Sequence, residues 1–188
     1  MTRSGAGAAL LLLGLWGIAT AADGDPAAGK RKTVTCNGCH GQAGMKSVPS
    51  LGGQRADYFV AAMVAYQDSI RPHPTMRDVA SAFSLRDIRN FAAYYADEPA
   101  AAAEAPGDPP PAAAPCGSCH GSGGREPPTP LTPRLAGQKA SYLEQALRDY
   151  RAGTRKHAIM QPQAQALTDE DIAALATYFA ALPGLFVK

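Results

Sequence analysis

Cys36-Asn37-Gly38-Cys39-His40 and Cys116-Gly117-Ser118-Cys119-His120 are two copies of Cys-x-x-Cys-His, and together they use all four cysteines of the chain. No other feature limits the fold as strongly. On a helical turn, thiols three residues apart lie on one face, so both can form thioethers with the two vinyl groups of one haem. The histidine that follows then stands under the ring and can give an imidazole nitrogen to the iron. Each motif therefore predicts one covalently attached haem c, with Cys36 and Cys39 or Cys116 and Cys119 at the thioethers and His40 or His120 on the iron. A four-thiolate zinc site needs no histidine after either pair, yet one follows both. Thioredoxin-like pairs or disulfides leave the histidines unexplained, and the expected strand-helix-strand pattern is absent from the sequence.

The amino terminus predicts export. Residues 1–21 combine a basic start at Arg3, an apolar stretch from Ala8 to Ile18 and the small residues Ala19-Thr20-Ala21, which reads as a signal peptide with its cleavage site. The apolar stretch is short for a membrane span, which makes an uncleaved anchor the weaker reading. Cleavage would remove Trp16, the only tryptophan, and Arg3, leaving 167 residues and a formal charge of +1 in place of +2. An exported chain whose cysteines all lie in haem motifs suits a bacterial periplasm, with no membrane span after cleavage. Its near-neutral balance argues against a nucleic-acid partner and gives no electrostatic address for a redox partner.

The chain is also an internal duplication. Residues 51–96 align without a gap to 135–180 with 17 identities in 46 positions. Leu51-Gly52-Gly53-Gln54 matches Leu135-Ala136-Gly137-Gln138, and each leads into a helical stripe, Tyr58, Ala62 and Tyr66 against Tyr142, Ala146 and Tyr150. These stripes read first as core packing. Ser84-x-x-Asp87 and Thr168-x-x-Asp171 read as helix caps. Behind them Ile88, Phe91, Ala92 and Tyr95 match Ile172, Leu175, Ala176 and Phe179 at helical spacing.

The second axial ligands are expected between those helices. Arg71-Pro72-His73-Pro74-Thr75-Met76 aligns with Arg155-Lys156-His157-Ala158-Ile159-Met160, so each repeat keeps one methionine at the same place in what reads as a loop. A thioether sulfur is a soft ligand for haem iron, and His/Met ligation raises the reduction potential. Met76 and Met160 are the expected ligands. Met45 and Met63 lack methionine counterparts and read as packing residues. His73 and His157 stand three residues before each methionine and are the alternative ligands; the duplication keeps both residue types and does not choose between them.

These features together resemble the dihaem cytochromes c of the cytochrome c4 type: two class I cytochrome c domains in one exported chain, each with Cys-x-x-Cys-His, a Leu-(Gly/Ala)-Gly-Gln segment and a downstream methionine. The resemblance covers nearly all of residues 24–182. It implies an all-α fold in which each of two tandem domains wraps one haem, with the haems facing across the interface. It also implies a soluble periplasmic electron carrier that often passes electrons toward a terminal oxidase. The expected organisation is a signal peptide at 1–21, a first domain at 22–98, an Ala/Pro-rich linker at 99–114 and a second domain at 115–188.

Two departures from the family pattern stand out. Gly29, seven residues before Cys36, matches a family glycine that lets helices approach closely, whereas Cys116 is preceded by the Pro/Ala-rich run from Pro99 to Pro115, including Pro109-Pro110-Pro111, which favours extended backbone. The second domain is therefore expected to lack a full leading helix, and the linker to loosen the pair. In addition, ten residues separate His40 from Leu51 but fourteen separate His120 from Leu135, with Pro127, Pro128, Pro130 and Pro133 among them. A stiffer loop there would change haem exposure in the second domain.

Domains of about 75 residues bury too little apolar surface to be stable alone, so the haem should form much of each core. The leading expectation is a monomeric electron carrier with two six-coordinate irons and no catalytic residues, reaching a donor and an acceptor by transient docking. The competing classes are a dihaem peroxidase or a thiosulfate-oxidising cytochrome with an open or unusual iron ligand, and a fixed electron-transfer subunit of a dehydrogenase or oxidase. Against the enzymes stand a methionine in each repeat and the lack of a fifth cysteine.

Overall fold

A computed structural model describes residues 23–41, 47–96 and 107–186. The expected signal peptide, Met45 and the first half of the expected linker lie outside those residues. Within them the chain is helical: α1 Pro26–Lys32, α2 Val34–His40, α3 Ala56–Gln67, α4 Pro74–Ser81 and α5 Leu85–Tyr95 form the first repeat. A 3-10 helix, Pro111–Cys116, leads into α6 Gly117–His120, and α7 Ala140–Ala152, α8 Met160–Gln165 and α9 Asp169–Ala181 complete the second. The only β-type pairing among the described residues is a bridge between Gly52 and Phe186.

The duplication is visible atom by atom. Ser84 and Thr168 each close a capping box, accepting from the backbone N–H of Asp87 or Asp171 while that carboxylate accepts from the cap residue's N–H. Behind the caps the periodic apolar residues turn inward. Ile88, Phe91, Ala92 and Tyr95 pack with Phe59, Met63 and Tyr66, and Leu175, Ala176 and Phe179 pack with Leu143 and Ala136. Met63 is thus a core residue, as its place in the helical pattern indicates.

Each Leu-x-Gly-Gln segment fastens the end of its own last helix. The N–H of Gly53 donates to Tyr95 O at 2.7 Å, and that of Gly137 to Phe179 O at 2.8 Å. Both glycines are left-handed, with φ of 80° and 74°, a conformation that side chains resist. This accounts for the glycine that both repeats keep, while the preceding position tolerates Gly52 or Ala136.

The repeats differ at their leading ends. Asp25 caps α1 through its side chain, and α1 packs on α5 so closely that a Cβ on Gly29 would run into the Asn90 carbonyl. The expected close helix contact is present. In front of Cys116 the only helix among the described residues is the short 3-10 turn, with Ala112 and Ala113 against the second core. Proline at 111 and 115 fits such a turn and opposes a long α-helix.

Candidate haem sites

The first motif lies on α2, and the second runs from Cys116, the last residue of the 3-10 helix and N-cap of α6, through α6, so that each pair of cysteines falls on one helical turn. Cys36 and Cys116 are half-buried against the two cores, and Cys39 and Cys119 are exposed. Burial pushes the Cys36 and Cys116 thiols up, which makes them poor thiolates and argues against redox-pair chemistry. All four cysteines are unpaired with one another.

The histidines of the motifs are held alike. His40 Nδ1 lies 2.9 Å from Pro49 O, and His120 Nδ1 lies 2.9 Å from Pro133 O. A carbonyl oxygen only accepts, so Nδ1 carries the proton in both rings and Nε2 keeps its lone pair. Burial pushes both imidazoles below the ordinary histidine value, against the opposing pull of the carbonyls. Each is therefore a neutral imidazole with a free Nε2, which is the form that binds a metal.

Met76 and Met160 occupy matching places, but not in loops. Met76 is in the first turn of α4 and Met160 is the first residue of α8. His73 is the N-cap of α4, its Nδ1 accepting from the Met76 backbone N–H at 3.2 Å, and His157 Nδ1 accepts in the same way from the Met160 N–H at 3.2 Å in the turn that leads into α8. Each histidine ring also meets an aromatic edge to face, Tyr66 at 6.0 Å and Tyr150 at 6.1 Å between centroids. The two histidines outside the motifs thus orient the methionine-bearing turns, a role the sequence reading did not find. Met76 and Cys36 pack against the same core.

Two tyrosines read as core residues have another task. Tyr66 and Tyr150 are buried, but Tyr142 OH accepts from Arg71 Nη2 at 2.7 Å and Tyr58 OH from Arg155 Nη2 at 3.2 Å. Each bond crosses between repeats, and each guanidinium lies over its own repeat's ring, Arg71 on Tyr66 and Arg155 on Tyr150, at 4.6 and 4.5 Å. Burial pushes Tyr66 and Tyr150 up to about 12, so both are neutral hydroxyls. Among the described residues neither guanidinium has a carboxylate partner. Two guanidiniums close enough to feel each other's charge, at the seam between the repeats, suit a cofactor that brings its own carboxylates, as haem does with its propionates.

A second set of crossings is made by the glutamines. Gln54 Oε1 accepts from Arg134 N at 2.9 Å and its Nε2 donates to Arg134 O at 3.2 Å. Gln138 does the same to Ser50, at 2.8 and 3.0 Å. With the Gly52–Phe186 bridge, these contacts dock the repeats about a pseudo-two-fold axis, contrary to the looser pairing that the proline-rich linker suggests. Glutamine, arginine and tyrosine were all visible as identities between the repeats, and identity in a duplicated chain signals a symmetric interface as well as a common core.

Two cysteine pairs on helical turns, two neutral imidazoles held from behind and a seam of guanidiniums without carboxylate partners among the described residues define a dihaem c-type cytochrome. A family model described as Cytochrome c matches residues 112–183. Over 195 aligned residues the chain is 34% identical to cytochrome c4 of Pseudomonas aeruginosa, covering 92% of this chain and 96% of that one. The solved structure of reduced cytochrome c4 from Pseudomonas stutzeri superposes with a TM-score of 0.72 at 26% identity, over 85% of this chain and 99% of that one. A shorter match, 44% identical over 73 residues, is to a thiosulfate dehydrogenase electron acceptor of Thiomonas intermedia, covering 39% of this chain and 34% of that one. The chain belongs to the cytochrome c4 family: it has two tandem cytochrome c domains, carries two covalent haem c groups with their irons, and is an electron carrier.

Proposed function

We propose that Cys36 and Cys39 anchor the first haem between axial ligands His40 and Met76, and that Cys116 and Cys119 anchor the second between His120 and Met160. The observation that carries this reading is the matched pair of histidines whose Nδ1 is committed to a prolyl carbonyl, each accompanied by a methionine on a histidine-capped turn. When bound, each haem supplies an iron that takes up and releases a single electron. The chain's part is to hold the ligand atoms in place, exclude water with the two apolar cores and offset propionate charge with Arg71 and Arg155. His73 and His157 are committed through Nδ1 to the backbone N–H of Met76 and Met160, which favours methionine as the sixth ligand.

We assign residues 1–21 to a cleaved export signal, 22–98 and 115–188 to the two domains, and 99–114 to the connection. The working place is the bacterial periplasm, where the protein carries single electrons as a monomer from a donor protein to a terminal oxidase. Among the described residues no helix is long and apolar enough to cross a membrane. The similarity to a thiosulfate dehydrogenase electron acceptor supports a thiosulfate-oxidising dehydrogenase as the donor.

The test of ligation is the weak long-wavelength absorption band of iron–methionine sulfur bonding in the oxidised protein, calibrated per haem. A band of two-haem intensity is expected, and loss of half of it in Met76→Ala or in Met160→Ala. A missing band in the parent would overturn methionine ligation and bring the enzyme classes forward. Stopped-flow mixing with a reduced thiosulfate dehydrogenase tests the donor, where no reduction of either haem would refute that assignment.

A further inference from the structure

The two glutamines reach one particular peptide group in the other repeat. The amide that joins Pro49 to Ser50 has its C=O on His40 Nδ1 at 2.9 Å, and its N–H on Gln138 Oε1 at 2.8 Å. The amide that joins Pro133 to Arg134 has its C=O on His120 Nδ1 at 2.9 Å, and its N–H on Gln54 Oε1 at 2.9 Å. Each axial histidine therefore ends a hydrogen-bond chain that begins on a side chain of the opposite repeat. The glutamine orientations are fixed, because in each the Nε2 amide donates to a carbonyl, Ser50 O or Arg134 O.

We propose that Gln138 and Gln54 are crosswise positioning residues: Gln138, in the second repeat, sets the electron donation of His40 to the first haem, and Gln54, in the first repeat, sets that of His120 to the second. The inference rests on the axial ligation proposed above. Accepting from an amide N–H draws electron density onto the same amide's carbonyl oxygen, and hydrogen bonds linked in this way strengthen one another. A stronger carbonyl acceptor pulls harder on Nδ1–H and makes the imidazole a more basic ligand. A more basic ligand favours the oxidised iron and lowers its potential. The chain works in a dry place, since Ser50, Gln54 and Gln138 are 5%, 7% and 4% exposed. Docking of the repeats thereby becomes part of each haem's ligand field.

The two chains are unequal in their support. Arg134 also reaches back through its own side chain, donating from Nη1 to Gly53 O and from Nε to Arg125 O. Its peptide stays in place when Gln54 is replaced. Gln138 holds both polar groups of Ser50, whose short side chain spans no such distance, so its loss has the larger effect.

The test is a spectroelectrochemical titration of the full two-haem chain, with each step assigned to its haem by hyperfine-shifted proton NMR. The near-isosteric Gln138→Met should raise the potential of the first haem and leave the second unmoved. Gln54→Met should raise the second haem by a smaller shift and leave the first unmoved. Equal shifts of both haems would reduce the glutamines to interface glue, and a shift confined to the glutamine's own repeat, or no shift, would also overturn the proposal. Should Gln138→Met fail to assemble, Gln138→Glu keeps an acceptor for Ser50 N–H and should lower or preserve the first potential; a rise would overturn the proposal. The spectrum of the unaltered protein separates this from ligation: without low-spin histidine/methionine features there, the axial assignment itself falls and the crosswise chain falls with it.

Discussion

The first repeat closes its haem motif with a helix, and the second does so with a turn. In the first, α1 is tied to α5 by three devices: Gly29 admits the Asn90 carbonyl, Asn90 Oδ1 accepts from Asp25 N at 2.8 Å, and Lys32 Nζ meets Asp87 Oδ1 at 2.6 Å. In the second, the residue aligned with Asn90 is Ala174, and among the described residues only the 3-10 turn stands before Cys116. Asp171 keeps the capping role of Asp87 without the lysine. The second repeat instead adds a tail, in which Leu182 and Leu185 are buried and Leu185 N donates to Ala136 O at 2.7 Å. The shared residues mark what both haem sites and their common interface need, and the unshared ones follow whichever segment covers the last helix.

The largest effect should come from removing the covalent anchor on one side. Cys36→Ala with Cys39→Ala should leave the first repeat poorly folded, because about 75 residues make too small a core without the haem, while the second repeat keeps its haem. Hydrogen exchange resolved by helix would show α3 and α5 unprotected; a first repeat that stays helical and melts cooperatively without haem would break the account. Next is Gly29→Val. Its side chain meets backbone that cannot step aside, so about 3 kcal/mol is expected, the upper part of the overpacking range. Protection of α1 and α5 should fall by that amount and that of α9 should not. Equal loss in both repeats would show that the docked pair unfolds as one unit.

Much of this was legible because it is local. The haem motifs, the caps at Ser84 and Thr168, and the apolar faces of α5 and α9 all depend on residues a few positions apart, whereas the close approach at Gly29 was legible only through the family resemblance. The methionine-bearing segments read as loops although α4 and α8 start there; in α4 the cap is a histidine, which is not among the usual N-cap residues. The interface was missed for a different reason. Tyr58 and Tyr142 fit the apolar stripe by spacing, and only the folded arrangement shows an arginine from the other repeat at each hydroxyl. The proline-rich linker pointed toward loose pairing because linker composition says nothing of what the joined surfaces bind.

A smaller effect isolates the Asn90 tether. Asn90→Ala removes the acceptor for Asp25 N at the exposed start of α1 and should cost about 1 kcal/mol, the usual net value of such a hydrogen bond. The reciprocal change, Ala174→Asn, should do nothing comparable, because no α1 equivalent stands beside it among the described residues. Denaturant unfolding of the two variants checks the contrast, and matched losses would mean that the asparagine acts through its own helix rather than through α1.

The smallest effect, and the one with a pH signature, belongs to Lys32 and Asp87. The Lys32 ammonium first, then the Ser84 hydroxyl, holds the Asp87 carboxyl below the usual carboxylate value. A carboxyl whose folded pKa is depressed binds protons more weakly in the folded state than in the unfolded one. Its contribution is therefore complete above the unfolded value of about 4 and is lost as pH falls through the folded value. Lys32→Met should weaken the α1–α5 contact at neutral pH by less than about 1 kcal/mol, because the lysine is exposed and water screens the pair. The difference from the parent should shrink in high salt and vanish in acid, once Asp87 is protonated in both proteins. The second repeat, which Lys32 does not touch, should be as stable in the variant as in the parent at every pH of the same titration. A deficit that persists in acid and salt would instead place the effect in the lysine's hydrocarbon stem packing on α5, and the ion pair would drop out of the list of devices that distinguish the two repeats.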